Sequence, residues 1–287
     1  MYLLGSLVVI IFNFIGQFPL TYYIIESNKL DLVSEDPLEL LRRIESNTQL
    51  FLILIPFLFS FIGLWLMVKK LHKTSLSKIA TIREKIDFNR VFFSFVLWGI
   101  LIIVIVLFDY YFYSDEYLWN FKLKEFLIML PIAIFLIPIQ TSLEEFIFRG
   151  YLMEGFASLF KNSWMPLVMT SLIFGFLHIY NPEVEKLGYS ILIYYIGTGL
   201  FLGVLSIMDQ GIELSLGFHA ANNLITALLV TSSWTVFQTE SILKDISDPN
   251  FFSEIIISLL VLYPLFLIIM SRKYNWNNWK EKIFLSF

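Results

Sequence analysis

The sequence predicts an all-α fold, a polytopic transmembrane helical bundle with about eight spans. Of its 287 residues, 57% are hydrophobic and only 15% are charged, whereas a soluble globular chain is roughly half apolar and about one quarter charged. A soluble domain of this size cannot bury so much apolar surface. Composition therefore excludes a soluble enzyme and a disordered protein. The net charge of −4 also lacks the basic field that a nucleic-acid partner requires, so no nucleic acid is expected as a partner.

The spans are predicted from runs without Asp, Glu, Lys or Arg, because a helix that crosses about 30 Å of hydrocarbon needs roughly 20 apolar residues. The eight runs are 1–25, 46–68, 91–108, 126–143, 162–182, 187–208, 214–239 and 255–271. None of them alternates with the period of a transmembrane β-strand. A ninth apolar stretch, 144–161, contains charged residues. It is expected either to cross the membrane as a further span or to lie at the interface.

The Lys and Arg residues of the short loops predict the orientation of the bundle. The loop 69–90 contains seven of them, the loop 26–48 contains three beside six acidic residues, and the loop 109–125 contains two. The first loop and the N-terminus are therefore predicted to be cytoplasmic, and the other two loops external. The abundance of Ile, Phe, Leu, Asn and Lys favours a bacterial cytoplasmic membrane as the location. His72 lies among the loop lysines and is predicted to be a surface residue at the lipid headgroups.

Ionisable side chains inside the spans are the strongest functional signal, because they are costly in a bilayer and usually mark a functional site. They occur in three segments, TSLEEFIFRG at 141–150, FGFLH at 174–178 and GFHAANN at 217–223. Helical spacing of i and i+4 predicts that Glu145 forms an ion pair with Arg149. The same spacing places His219 and Asn223 on one helix face. Glu144 is rotated by about 100° from Glu145 and is expected to point elsewhere.

Glu144, His178 and the pair formed by His219 and Asn223 resemble a hydrolytic centre. A carboxylate in a low-dielectric pocket can act as a general base toward water, and a neighbouring imidazole can orient that water. A second histidine and an amide can stabilise the oxyanion of a tetrahedral intermediate. In the alternative chemistry, Glu144, His178 and His219 are the ligands of a catalytic zinc ion. The cofactor is therefore either zinc or none.

The three segments, in this order, are similar to the motifs of the CPBP family, the CAAX proteases and bacteriocin-processing enzymes that are also called Abi proteins. The family patterns are Glu-Glu-x-x-x-Arg, Phe-x-x-x-His and His-x-x-x-Asn. The resemblance covers residues 126–232 as a catalytic core, preceded by transmembrane helices at 1–125 and followed by a helix and tail at 233–287. It implies an intramembrane endopeptidase of the type II CAAX prenyl protease kind. Members are often named metalloproteases, a metal-free glutamate mechanism has been argued for the prenyl-protease branch, and bacterial members are linked to bacteriocin immunity.

The resemblance also implies a role for each motif residue. Glu144 would be the general base, and His178 would help to activate the water. His219 and Asn223 would stabilise the oxyanion. The supporting residues Glu145 and Arg149 complete the first motif.

The expected partners are the lipid bilayer and a peptide or protein substrate. Phe174 and Phe218 are expected to line the site, which would suit a hydrophobic or lipidated peptide. Two other functions compete with the peptidase, namely a non-catalytic immunity or scaffold protein and a proton-coupled transporter. The complete set of motif residues argues against a pure binding protein, and the lack of an inverted repeat argues against a transporter.

Overall fold

The computed structural model describes residues 1–27, 40–41, 43–250 and 255–284, so the predicted external loop 26–48 falls largely outside the described residues. The described part is a helical bundle, which confirms the predicted fold class. Its helices are α1 Tyr2–Ser27, α2 Ser46–Lys70, α3 Leu76–Ala80, α4 Phe88–Phe112, α5 Leu123–Glu145, α6 Met153–Phe160, α7 Trp164–Phe176, α8 Pro182–Leu187, α9 Ile191–Asp209, α10 Glu213–Leu229, α11 Tyr263–Lys273 and α12 Trp279–Phe284. Two π-helical segments, Phe146–Leu152 and Ser258–Leu262, and two 3₁₀ turns, Ser114–Glu116 and Gly188–Ser190, complete the helical structure.

Five helical stretches among the described residues are long and apolar enough to cross a membrane, and the predicted number of about eight is not confirmed. The five are Tyr2–Glu26, Ser46–Lys70, Phe88–Phe112, Leu123–Phe160 and Pro182–Asp209. The other predicted runs form shorter helices. The run 162–182 contains the 13-residue α7, the run 214–239 contains the 17-residue α10 and a strand, and the run 255–271 contains a π-helical segment and the 11-residue α11.

The stretch 144–161 is not a separate element. Leu123–Phe160 is one continuous helical stretch of 38 residues, in which α5 passes through the π-helical segment Phe146–Leu152 into α6. At 1.5 Å per residue this stretch is about 57 Å long, well beyond the thickness of the hydrocarbon core. The stretch is therefore neither an additional span nor an isolated interfacial helix, because it continues the helix that carries Glu144 and Glu145.

The connections between helices meet at two ends of the bundle, which we call the basic end and the sheet end. At the basic end, the connection 71–87 contacts the turn between α9 and α10 through the hydrogen bond from Ile212 N to Ala80 O (2.8 Å) and through an ion pair between Arg83 and Asp209 (3.2 Å). Trp276 also donates a hydrogen bond to Asp209 there. At the sheet end lie three short strands, β1 Tyr117–Trp119, β2 Val230–Ser232 and β3 Leu243–Asp245. The central β3 pairs antiparallel with β1 and parallel with β2.

Helix packing brings α5, α7, α9 and α10 together. α10 packs against α4 and α5, and α9 packs against α7. The contact between α7 and α9 is close because position 199 is a glycine, at which a Cβ atom would come within 2.9 Å of the Cα atom of Ser171. Since α10 begins at the basic end with Glu213, His219 lies in its second turn.

Candidate active site

Glu145 is fully buried and joins the first and third sequence motifs. Its Oε1 atom accepts a hydrogen bond from Arg149 Nη1 at 2.9 Å and lies 2.7 Å from His219 Nδ1. The predicted ion pair between Glu145 and Arg149 is present. The helical spacing predicted that Glu144 points away from Glu145. In the structure both glutamates contact His219. This is possible because α10 packs across α5, and the spacing within one helix does not predict how two helices pack.

Arg149 connects the π-helical segment to two further helices. Its guanidinium group donates a hydrogen bond to the carbonyl oxygen of Gly199 on α9 (3.3 Å) and lies over the ring of Phe174 on α7, 4.6 Å from the ring centroid. The residue is only 5% exposed. π-Helical segments often occur at functional sites, and this one places a buried cation beside the buried carboxylate of Glu145.

Glu144 differs from Glu145 in its exposure. Its Oε1 atom accepts a hydrogen bond of 2.6 Å from Gln140 Nε2, one helical turn earlier. Its Oε2 atom lies 3.7 Å from His219 Nε2, and Oε2 has no hydrogen-bond partner in either glutamate. The side chain of Glu144 is 14% exposed, against 0% for Glu145. Of the two carboxylates, Glu144 is therefore the one that a bound molecule can reach.

A chain of side-chain amides extends from Glu144 across to α4, and we call it the amide chain. Gln140 accepts a hydrogen bond from Asn223 Nδ2 (3.2 Å), and Asn223 accepts one from Asn222 Nδ2 (3.2 Å). Asn222 in turn accepts a hydrogen bond from the indole of Trp98 (3.1 Å). These contacts orient the Asn223 amide and use one of its two N–H donors. Gln140 is absent from the sequence prediction, although a polar side chain four residues before Glu144 in an apolar helix was a usable signal.

His178 lies just after the end of α7 with a defined orientation. Its Nδ1 atom is 2.7 Å from the carbonyl oxygen of Phe174, and a carbonyl oxygen only accepts, so Nδ1 carries the proton and Nε2 is left for other partners. The imidazole stacks on Tyr195 with a centroid distance of 4.3 Å. The hydroxyl of Tyr195 accepts a hydrogen bond from Asn181 (3.4 Å). Tyr195 therefore supports His178, a role that no local sequence pattern indicated.

The aromatic wall of the site is only partly as predicted. The ring of Phe174 lies 4.7 Å from the ring of His178 and 6.3 Å from that of His219, so Phe174 does line the site. The expectation for Phe218 is wrong. Phe218 is 1% exposed and packs 4.2 Å from Trp98 in a separate aromatic core, because its position on α10 faces α4.

A metal site is not assembled by these residues. Within the described ranges, no three His, Asp or Glu side chains are arranged so that they could hold a metal ion. The alternative ligand set of Glu144, His178 and His219 therefore does not fit a zinc ion in this arrangement. His219 Nδ1 contacts Glu145, and His178 Nδ1 is engaged by a backbone carbonyl.

Comparison with known proteins finds a family match. Residues 123–225 match the family model described as type II CAAX prenyl endopeptidase Rce1-like. These residues form an Rce1-like domain. The domain contains all seven motif residues. The resemblance to the CPBP family is therefore confirmed, and the family is one of membrane proteases.

The chain is similar to the uncharacterized protein YyaK of Bacillus subtilis (strain 168). The two are 33% identical over 189 residues, which cover 66% of this chain and 63% of the relative. The chain thus spans somewhat less than two thirds of that relative. No solved structure matches the chain. The apolar helices and the Rce1-like domain together identify an integral membrane protein.

Proposed function

We propose that this protein is an intramembrane endopeptidase that hydrolyses a peptide or protein with a water molecule activated by Glu144. The arrangement around His219 carries the proposal. Glu145 contacts Nδ1 of this imidazole at 2.7 Å, and the free Oε2 of Glu144 lies 3.7 Å from its Nε2. A carboxylate with a free oxygen thus lies beside an imidazole that is fixed from its other side. The protease family to which the Rce1-like domain belongs supports the same class of reaction.

Glu144 is the proposed general base. Gln140 holds one carboxylate oxygen, which leaves Oε2 as the atom that accepts the proton of water. His178, with its proton on Nδ1, would offer the lone pair of Nε2 to orient the same water. Attack of this water on the peptide carbonyl forms the new C–O bond. The proton held by Glu144 then passes to the departing amine.

His219 and Asn223 are the proposed oxyanion donors. The entering oxygen and the oxyanion are bonded to the same carbon, so the base and the oxyanion donors must be neighbours, as Glu144 and His219 are. Glu145 holds Nδ1 of His219, and Nε2 is the ring atom that would donate a hydrogen bond to the oxyanion. The amide chain fixes Asn223 and leaves it one further N–H. Such preorganised donors are usually the largest contribution to acyl-transfer catalysis.

The proposed substrate is hydrophobic or lipidated and is cleaved within the membrane, nearer the cytoplasmic side. The apolar residues beside His178 support the first point, since Phe176 and Leu177 are 54% and 67% exposed. The seven basic residues of the loop 69–90 assign the basic end to the cytoplasm, and His219 lies in the second turn from that end. The N-terminus, at the start of α1, would then be cytoplasmic in a bacterial membrane.

The proposal is tested by cleavage of membrane-anchored peptides. The purified full chain is reconstituted in liposomes with a library of peptides that carry an apolar or lipidated anchor, and products are identified by mass spectrometry with and without a strong chelator. We expect cleavage that the chelator changes by less than about twofold, because the site residues do not form a metal-binding group. Loss of activity in chelator with recovery on addition of zinc would contradict the metal-free mechanism. Absence of products from every peptide would favour the immunity or scaffold function.

The amide chain gives a second expectation. Replacement of Gln140 by leucine should lower kcat by about 10–100-fold with a much smaller change in KM, because Oε1 of Glu144 loses its hydrogen bond and the orientation of the base is no longer fixed. Thr141→Val is the matched control, since Thr141 is also buried on α5 but its hydroxyl bonds only to its own helix backbone. Wild-type kcat in Gln140→Leu, or an equal loss in both variants, would show that the amide chain has no part in catalysis.

A further inference from the structure

A second polar pocket lies outside the candidate active site, between the start of α1, the end of α2 and the π-helical segment. Its volume is about 350 Å³. The polar side chains that line it include Tyr2, His72, Lys78, Tyr151 and Glu154. None of these residues takes part in the proposed hydrolysis.

The aromatic side of the pocket holds His72 in a defined state. The hydroxyl of Tyr151 donates its only hydrogen to the carbonyl oxygen of Tyr2 (3.1 Å), so its oxygen accepts from His72 Nε2 (2.9 Å). The three rings pack on one another, with centroids 4.9 Å apart for the two tyrosines and 5.3 Å apart for His72 and Tyr151. The two tyrosines thus hold the His72 ring, and the hydrogen that it donates in this arrangement goes to Tyr151.

The opposite side of the pocket supplies a positive charge. Lys78 lies on α3, and its ammonium group has no carboxylate partner among the described residues. The lining contains one carboxylate, that of Glu154. Thr74 adds a hydroxyl group. An ammonium group and hydroxyl groups around one cavity are groups with which proteins bind phosphate.

The position of the pocket identifies the source of the phosphate. α1 begins at Tyr2 and α2 ends at Lys70, and both helices are candidate membrane spans. The pocket therefore lies at the depth where two spans leave the hydrocarbon, which is the depth of the lipid headgroups. We propose that this pocket is a lipid-binding site that takes the phosphate of an anionic phospholipid headgroup between Lys78 and Thr74.

An occupant of this pocket would contact the segment that carries Arg149. Tyr151 lies two residues after Arg149 in the π-helical segment. Gly150 brings this segment against the backbone of α3, since a Cβ atom at position 150 would come within 2.9 Å of the carbonyl oxygen of Ile79. Bound phospholipid is therefore expected to stabilise the folded protein through the π-helical segment as well as at the surface.

The test is the unfolding temperature of the delipidated full chain in detergent. Short-chain phosphatidylglycerol at about 100 times its Kd should raise Tm by roughly 5 °C, while a diacylglycerol with the same acyl chains should not. Lys78→Gln should weaken phosphatidylglycerol binding about tenfold or more, and Thr74→Val should weaken it by a smaller factor. Lys70→Gln is the matched control, because it removes an equal charge from an exposed residue of the same region that does not line the pocket.

If inorganic phosphate raises Tm to the same extent and displaces phosphatidylglycerol, the phosphate site is supported but its ligand is free phosphate. A shift with phosphatidylglycerol alone supports the lipid. No shift with either compound, or an equal shift with diacylglycerol, would overturn the proposal. An equal loss in Lys70→Gln and Lys78→Gln would also overturn it, because the effect would then be a general attraction to the basic loop.

Discussion

Replacement of Glu144 by glutamine is expected to lower kcat for peptide cleavage by about 10²–10⁴-fold, while the protein remains folded. Glutamine has the same shape and can still accept the hydrogen bond from Gln140, but it cannot take a proton from water. The side chain is partly exposed and its Oε2 has no partner, so the folded state loses little when the charge is removed. Single-turnover cleavage and the unfolding temperature of the same preparation measure both quantities.

The matched control is Glu145→Gln. Glu145 is fully buried between Arg149 and His219, so the loss of its charge leaves a buried guanidinium without its counter-ion. This variant is therefore expected to lose folding stability, in contrast to Glu144→Gln. Retention of more than a tenth of the wild-type kcat by folded Glu144→Gln would exclude Glu144 as the base.

Replacement of Arg149 by methionine is expected to reduce the free energy of unfolding by about 3–5 kcal/mol. The guanidinium is buried, and its removal leaves the carboxylate of Glu145 with His219 alone and the carbonyl of Gly199 without this donor. Removing one partner of a buried ion pair costs more than the pair contributes, because the remaining charge stays in a low-dielectric environment. Equilibrium unfolding in detergent measures the loss.

A double variant separates loss of the ion pair from loss of packing. Glu145→Gln combined with Arg149→Met removes both charges, and it should be more stable than Arg149→Met alone by a large part of that loss. If the double variant is as unstable as the sum of the two single variants, the pair is not coupled. If Arg149→Met stays within about 1 kcal/mol of the wild type, the buried pair does not hold the site together.

The identity of most candidate residues could be predicted from the sequence, but their contacts could not. The i, i+4 spacing of Glu145 and Arg149 predicted their ion pair correctly, because the distance between these two side chains depends on local helical geometry. Glu145 and His219 are 74 residues apart, and their 2.7 Å contact depends on how α10 crosses α5. For the same reason the support that Tyr195 gives His178, and the contact of Gln140 with Asn223, were not visible in the sequence, whereas the contact of Gln140 with Glu144 lies within one helix.

The apolar helices could be predicted from the sequence, whereas the continuation of one helix into the next could not. Uncharged runs located the apolar helices, since hydropathy is a property of each segment by itself. The continuation of α5 through Phe146–Leu152 into α6 was not visible in that pattern, because the charges of 144–161 suggested a different kind of segment. In the folded chain Glu145 and Arg149 are buried against other helices, whereas Glu154 and Lys161 are exposed.

The sequence by itself determined that this is a helical membrane protein with a glutamate, two histidines and an asparagine in family motifs, because composition and spacing along one helix are local properties. The tertiary structure was needed to show which glutamate is partly exposed, which histidine nitrogen it faces and how Arg149 is buried. Those features depend on distances between helices, which are set by side-chain packing, by the π-helical segment and by the close contact at Gly199.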